Sequence, residues 1–277
     1  MDPKQLNIGR RGGRGFRHGA PRLGERAELP RGHFALAEGF PSFDGSLLTD
    51  GASLAAAADD YGHMVHRQPS AVLKPGSVND VVEMVRFARR NGIKVAARGQ
   101  GHSTQGQAQV EAGVVVDMST LAAVREVNPA DALVEGGARW IDVLQQTIPQ
   151  GLTPPTLVDF LELSVGGTLS LGGIGGQSFR HGPQVDNVLE LQVVTGEGEL
   201  VSCSPSQNRA LFYAARSGLG QAGLERADAH RRDPRQHARR RRWAGPRPHL
   251  PVQPRQVQRA ALPRPRGASL LLLRAAA

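Results

Sequence analysis

The chain has 277 residues, with 34 Lys and Arg against 25 Asp and Glu, for a formal charge of +9. That charge is local: residues 222–277 hold fourteen arginines and three acids, a net +11, so residues 1–221 sum to −2. No apolar run nears the roughly twenty residues of a membrane span, and the single cysteine, Cys203, excludes an intrachain disulfide.

Residues 1–45 are expected to be disordered, and 1–32 show no hydrophobic period. Within them 1–32 are rich in Arg and Gly, and Arg10-Arg11 lacks the apolar stretch that a twin-arginine export signal needs. With no intact signal peptide or membrane segment, the default compartment is the cytoplasm. Folding is expected to begin near Leu47. Ser77 to Arg90 predicts a helix: Ser77 with Asp80 resembles a capping box, Val78, Val81, Val82, Val85, Phe87 and Ala88 make one apolar face, and Asn91-Gly92 stops it. Ile93 to Ala97 predicts a buried strand. Gly113 to Asp117, Val124 to Asn128 and Ala132 to Glu135 predict further strands, and Arg139 to Thr147 a helix. Val188 to Thr195 and Glu199 to Cys203 flank Gly196-Glu197-Gly198, a hairpin signal. Asn208 to Arg216 predicts a short helix. Strands interleaved with helices and joined in part as hairpins argue for an α+β fold rather than a doubly wound sheet.

After Gln221 the pattern stops. Residues 222–277 contain no Ile, Phe, Tyr, Thr or Asn and are dominated by Arg, Ala and Pro. That composition is expected of GC-rich coding DNA read out of frame, so the tail reads as disordered or out of frame. Arginine clusters also neutralise phosphates, but only Trp243 supplies aromatic interleaving, so a nucleic-acid-binding arm is the weaker reading.

Two stretches carry chemistry. Arg98-Gly99-Gln100-Gly101-His102-Ser103 is a glycine-rich loop, following a short apolar strand, with one imidazole in it. About sixty residues later Asp159 opens DFLELSVGGTLS, a carboxylate ahead of a second glycine-rich turn. Gly99, Gly101 and Gly106 can present bare backbone N–H groups to an anion. The spacing is not that of the dinucleotide-binding Rossmann fingerprint. An imidazole is a competent nucleophile near neutral pH. Asp159 precedes Phe160, Leu161 and Leu163, and apolar company disfavours an ionised carboxylate, a condition suited to proton exchange.

Together these motifs resemble the flavin enzymes of the vanillyl-alcohol oxidase type, with an FAD-binding domain of PCMH type, and within them the cytokinin dehydrogenases. The resemblance runs from about Val72 to Gln221 and is densest in SVGGTLSLGGIGGQSFRHGPQVDN. It implies an FAD-binding domain of two small α+β subdomains over 46–221, incomplete at its C-terminal end, with the separate substrate (cap) domain missing and the chain truncated or frameshifted after Gln221. It implies FAD bound covalently through His102. Ala97, Gly99, Gln100, Gly101, Ser103, Gln107, Asp159, Ser164, Thr168, Ser170 and Ile174 are the further cofactor-binding candidates. Asp159 is the catalytic candidate: in the family the matching aspartate bonds the secondary amine of the substrate and draws off its proton, while the flavin takes hydride from the adjacent carbon. The product imine is hydrolysed to adenine and an aldehyde.

The resemblance thus implies a small-molecule amine substrate, the N6 side chain of an adenine derivative, with oxygen or a quinone as electron acceptor and no membrane partner. An oxidase of alcohols or sugars and a non-catalytic flavin-domain fragment stand as alternatives, and the chain as written is expected to be marginally stable, with little turnover. No metal is expected, because His63 and His66 lack companion ligands. Arg180 and His181 are expected to be structural, Trp140 to be core, and Cys203 a small buried hydrophobe. Gly218 and Gly220 match a family glycine run near the flavin.

Overall fold

The computed structural model describes residues 40–221, 224–228 and 272–275. The start of the segment expected to be disordered, residues 1–39, and most of the Arg-rich tail lie outside the described residues.

Two sheets make the architecture. The first is built from β1 (Ser46–Leu48), β2 (Ala71–Lys74), β3 (Val95–Arg98) and β4 (Val114–Asp117), in the order β1-β2-β4-β3. β1 pairs antiparallel with β2, and β4 runs parallel to both of its neighbours. The period-two alternation of strands sorts the side chains. Ala71, Leu73, Val114 and Val116 face helix α2 (Val78–Arg90), whose Val81, Met84 and Val85 are buried against them. Val72 and Val115 pack on the other face with Ala57 and Leu54 of helix α1 (Gly51–Ala57). Each fully buried Leu or Met here contributes about 1.5–3 kcal/mol.

Helix α2 starts where its sequence says. The Ser77 hydroxyl accepts the N–H of Asp80. The Asp80 carboxylate does more than close the predicted box: it also accepts the N–H groups of Asp44, Gly45 and Gly76 at 2.8–2.9 Å, fixing the lead-in to β1 against the start of α2. The strand predicted from Ile93 begins instead at Val95, because the Ile93 N–H is spent on Ala88 O at the end of the helix.

The second sheet contains β5 (Val124–Val127), β6 (Ala132–Glu135), β7 (Val188–Val194) and β8 (Leu200–Cys203). β7 and β8 form the predicted hairpin, with Gly198 at φ +76° in the turn. Trp140 and Val143 of α3 (Trp140–Thr147), Val165 and Leu169 of α4 (Val165–Leu171) and Phe212 and Ala215 of α6 (Arg209–Ala215) bury against this sheet with Cys203. A short helix α5 (Ser178–His181) precedes β7.

Two segments of the tail are described, β9 (Leu224–Asp228) and β10 (Leu272–Ala275), and both pair antiparallel with β6 and with β7. Strand edges with open N–H and C=O groups draw in extended chain, and here that chain comes from the tail.

Candidate active site

The first motif leaves β3 at Arg98 and is pinned from outside. Residues 59–62 lie along it: the Tyr61 N–H donates to Gly101 O at 2.9 Å and the Gly62 N–H to Ser103 O at 3.2 Å. Just before them in the chain is Asp60, 3 % exposed. Its carboxylate accepts the Gly106 N–H at 2.7 Å, the Ser103 hydroxyl at 3.0 Å and the Gly62 N–H at 3.0 Å. Burial pushes the Asp60 carboxyl up, but these bonds to its charged form outweigh burial and hold it below the usual carboxylate range. Gly101 and Gly106 adopt φ of +66° and +71°, which favours glycine. Among the described residues the backbone N–H groups of Gln100, Gly101, His102 and Ser103 meet no acceptor. Consecutive open amides around a positive-φ glycine form an anion-binding concavity.

The second motif is a correction to the sequence reading. VGGTLSL was expected as a turn and is helix α4. Ser164 caps it by accepting the Gly167 N–H. The Val165 and Gly166 N–H groups donate to Ala138 O and Gly136 O, so the helix start is seated on the β6–α3 connection. Glycines cost a helix propensity, but tertiary seating of the first turn overrides it. The preceding residues 159–163 are tied to α3: the Trp140 and Ile141 N–H groups donate to Leu163 O and Leu161 O, and Arg139 pairs with both Asp142 and Glu162.

The motifs meet at two places. A Cβ placed on Gly99 would lie 2.1 Å from Ser164 Oγ, so only glycine fits there while Ser164 caps α4. Farther out, the His102 ring stacks between two aromatic rings, Tyr61 at 4.1 Å and Phe160 at 5.2 Å. His102 is exposed, and neither of its ring nitrogens has a hydrogen-bond partner among the described residues. Two open clefts adjoin this stack. One, of about 370 Å³, is lined by Tyr61, Arg98, Gln100, Gly101 and His102. The other, of about 660 Å³, is lined by Pro154, Leu157, Val158, Asp159, Gln177 and His181.

The other candidates are placed as follows. Ala97 is half-buried on β3, while Gln100 and Gln107 are exposed on the loop, the latter accepting the Gln105 N–H. Asp159 is exposed at the rim of the larger cleft rather than enclosed by its apolar neighbours, because Phe160 turns outward onto His102. Thr168 is buried; its hydroxyl donates to Val165 O and accepts from Trp140 Nε1 at 2.9 Å, so it works inside the fold. The Ser170 hydroxyl donates to Gly166 O. Ile174 is 76 % exposed next to the cleft-lining residue Gly176. Trp140 is core, as expected. Among the described residues no group of three or more potential ligands is arranged for a metal, and no helix is long and apolar enough to cross a membrane. Sequence reasoning missed Asp60 and Tyr61. The only trace they leave is the turn-like Asp-Tyr-Gly at 60–62, some forty residues before the loop they hold.

Residues 69–204 match the family described as FAD binding domain. This stretch is an FAD-binding domain. It resembles that of the cytokinin dehydrogenases. The chain is 47 % identical over 198 residues to cytokinin dehydrogenase 4 of Arabidopsis thaliana, covering 65 % of this chain and 38 % of that protein. It is 51 % identical over 180 residues to cytokinin dehydrogenase 4 of Oryza sativa subsp. japonica, covering 61 % and 34 %. An uncharacterised oxidoreductase, ORF5 in the fasciation locus of Rhodococcoides fascians, is 45 % identical over 176 residues, covering 64 % and 40 %. The crystal structure of 6-hydroxy-D-nicotine oxidase from Arthrobacter nicotinovorans superposes with a TM-score of 0.63 at 26 % identity, over 68 % of this chain and 42 % of that one. The fold is thus the mixed α+β fold of PCMH-type flavoproteins, and the chain spans about two fifths or less of the length of these relatives. The residues of the FAD-binding domain fit the cofactor on their own terms: amides at 100–103 open among the described residues for a pyrophosphate, glycine-only approach at Gly99, and an imidazole on the loop whose ring nitrogens meet no hydrogen-bond partner among the described residues.

Proposed function

We propose that this chain carries the flavin site of an FAD-linked oxidoreductase acting on the CH–NH bond of a secondary amine, with the N6 side chain of an adenine derivative as substrate. The observation that carries the reading is the contact of His102 with Phe160, which sets the imidazole against the residue that follows Asp159 in the chain. The resemblance to cytokinin dehydrogenases over the FAD-binding domain supports the amine.

In this reading the amides of Gln100 to Ser103 hold the FAD pyrophosphate, and Ala97, Gly99, Gln107, Ser164, Ser170 and Ile174 line the remainder of the cofactor site, while Thr168, buried against Trp140, supports it from inside the fold. His102 bonds the flavin through a ring nitrogen. When bound, FAD supplies the hydride acceptor, and oxygen or a quinone later takes the electrons. Asp159 accepts the substrate N–H and takes its proton as the carbon beside it is oxidised. Pro154, Leu157 and Val158 give the apolar floor on which a planar base and its alkyl side chain rest.

Oxidation of N6-isopentenyladenine by the full chain tests this reading, followed by loss of the substrate and release of adenine. Asp159→Asn is expected to lower turnover by about 10²–10⁴-fold while leaving flavin content unchanged. Equal turnover by the two proteins contradicts Asp159 as the base. A second reading is favoured by the openness of the Asp159 cleft: a flavin-binding fragment with little turnover. It predicts bound flavin without amine oxidation.

A further inference from the structure

We infer that Tyr61 is a positioning residue for His102: together with Phe160 it clamps the imidazole between two aromatic faces and presents the in-plane nitrogen lone pair to the flavin. The inference rests on His102 as the attachment point, and deepens that reading by naming what orients the nucleophile.

The lone pair of an imidazole nitrogen lies in the ring plane, not on its faces. A clamp that covers both faces therefore leaves the nucleophilic edge free while fixing the direction in which it points. That arrangement is present. Tyr61 lies 4.1 Å from the His102 ring with 25° between the planes, and Phe160 covers the other face at 5.2 Å and 29°. Among the described residues neither His102 nitrogen is engaged by a hydrogen bond, so stacking, not bonding, sets the ring orientation. An exposed histidine on a glycine-rich loop has several rotamers open to it, and the two ring contacts offset the rotamer freedom lost in holding one.

The clamp is itself anchored. Tyr61 follows buried Asp60, whose carboxylate reaches Ser103 and Gly106 on either side of the loop tip, and the Tyr61 N–H donates to Gly101 O next to His102. Tyr61 is 64 % exposed. It buries little in the core, so its packing against the histidine is not explained by fold stability.

Attachment forms one bond from a ring nitrogen of His102 to the 8α carbon of the flavin. The imidazole N–H and the methyl group each release a proton, and the electron pair left on the flavin is removed by dioxygen as peroxide. Orientation of a nucleophile acts on the rate of such a step rather than on affinity.

The test uses the full chain purified without flavin and incubated aerobically with FAD, reading covalent incorporation as flavin fluorescence of the denatured protein band. Total flavin bound is measured in parallel by ultrafiltration. Tyr61→Ala is expected to slow covalent incorporation at least tenfold with total flavin bound unchanged, and Tyr61→Phe, which keeps the ring, to stay within about twofold of the natural chain. Because the side chain is exposed, thermal melting of both variants is expected to match the natural chain; Tyr61→Leu keeps apolar bulk without a ring and is expected to behave as Tyr61→Ala. Covalent incorporation at the natural rate in Tyr61→Ala overturns the inference while leaving His102 as the attachment point. Flavin that washes entirely from the denatured natural chain overturns the attachment itself, and the inference with it.

Discussion

The ring of Phe160 rests on the ring of His102, 5.2 Å between centroids and 29° between planes. The two residues come from motifs about sixty positions apart, one on the loop after β3 and one ahead of α4. Because Phe160 follows Asp159 directly, the stack brings the imidazole and the carboxylate edge of the larger cleft into one neighbourhood. Deeper in, Gly99 against Ser164 makes the same junction by exclusion of a side chain.

That exclusion gives a coupled prediction. Gly99→Ala drives a methyl group to 2.1 Å from Ser164 Oγ and is expected to destabilise the domain by about 1–3 kcal/mol. Ser164→Ala alone loses the cap of α4, at about 1 kcal/mol. In the double variant the oxygen that clashes is gone, so the combined cost is expected to fall short of the sum. Urea denaturation of the four proteins measures the coupling, and strict additivity means that the two residues do not press on each other.

Acid stability follows from two buried carboxylates. In both Asp60 and Asp80 burial pushes the carboxyl up, but backbone N–H donors, joined at Asp60 by the Ser103 hydroxyl, more than compensate, so both are held below the ordinary value. A carboxyl with a depressed folded value contributes stability that is complete above the unfolded value, about 3.9, and is lost as pH falls through the folded one. The domain is therefore expected to lose stability below about pH 4. Asp60→Asn and Asp80→Asn should each be less stable at neutral pH and show a flatter acid limb. Thermal melts from pH 7 down to pH 2.5 check this; an unchanged slope in both variants contradicts the role assigned to their hydrogen bonds.

Trp140 is 1 % exposed and donates through Nε1 to the Thr168 hydroxyl at 2.9 Å. Trp140→Phe removes that bond and leaves a small void, for an expected loss of about 2 kcal/mol. Thr168 keeps its bond to Val165 O, so no buried hydroxyl is orphaned. Thr168→Val removes the acceptor instead and leaves the Trp140 N–H buried without a partner, a loss expected to be at least as large. Denaturation midpoints rank the two, and a cost for Thr168→Val below half that of Trp140→Phe places the Thr168 hydroxyl elsewhere than inside the fold.

Much of the architecture was legible in the sequence where periodicity and punctuation agree. The amphipathic face of α2 with Ser77 before it and Asn91 after it, and the β7–β8 hairpin around Gly198, follow from local rules. Helix α4 was not legible, because Gly166 and Gly167 argue locally for a turn and the seat that makes a helix, the carbonyls of Gly136 and Ala138, lies some thirty residues upstream. The same limit hid Asp60 and Tyr61. Nothing near position 60 announces a loop at 101–106, and only the folded chain brings a buried carboxylate to the two donors there, the Ser103 hydroxyl and the Gly106 N–H. His102 and Asp159 were singled out through their motifs, but the outward turn of Phe160, which leaves Asp159 exposed, is a product of the stack and not of the local run DFLEL.

The most direct test of the central claim is the mass of the peptide containing His102 after the full chain has been loaded with FAD, denatured and digested. This peptide is expected to gain the mass of one FAD less two hydrogens, and the gain is expected to disappear in His102→Ala while the protein still folds. Flavin recovered on a different peptide, or an unmodified His102 peptide from a protein that binds FAD and oxidises the amine, contradicts it.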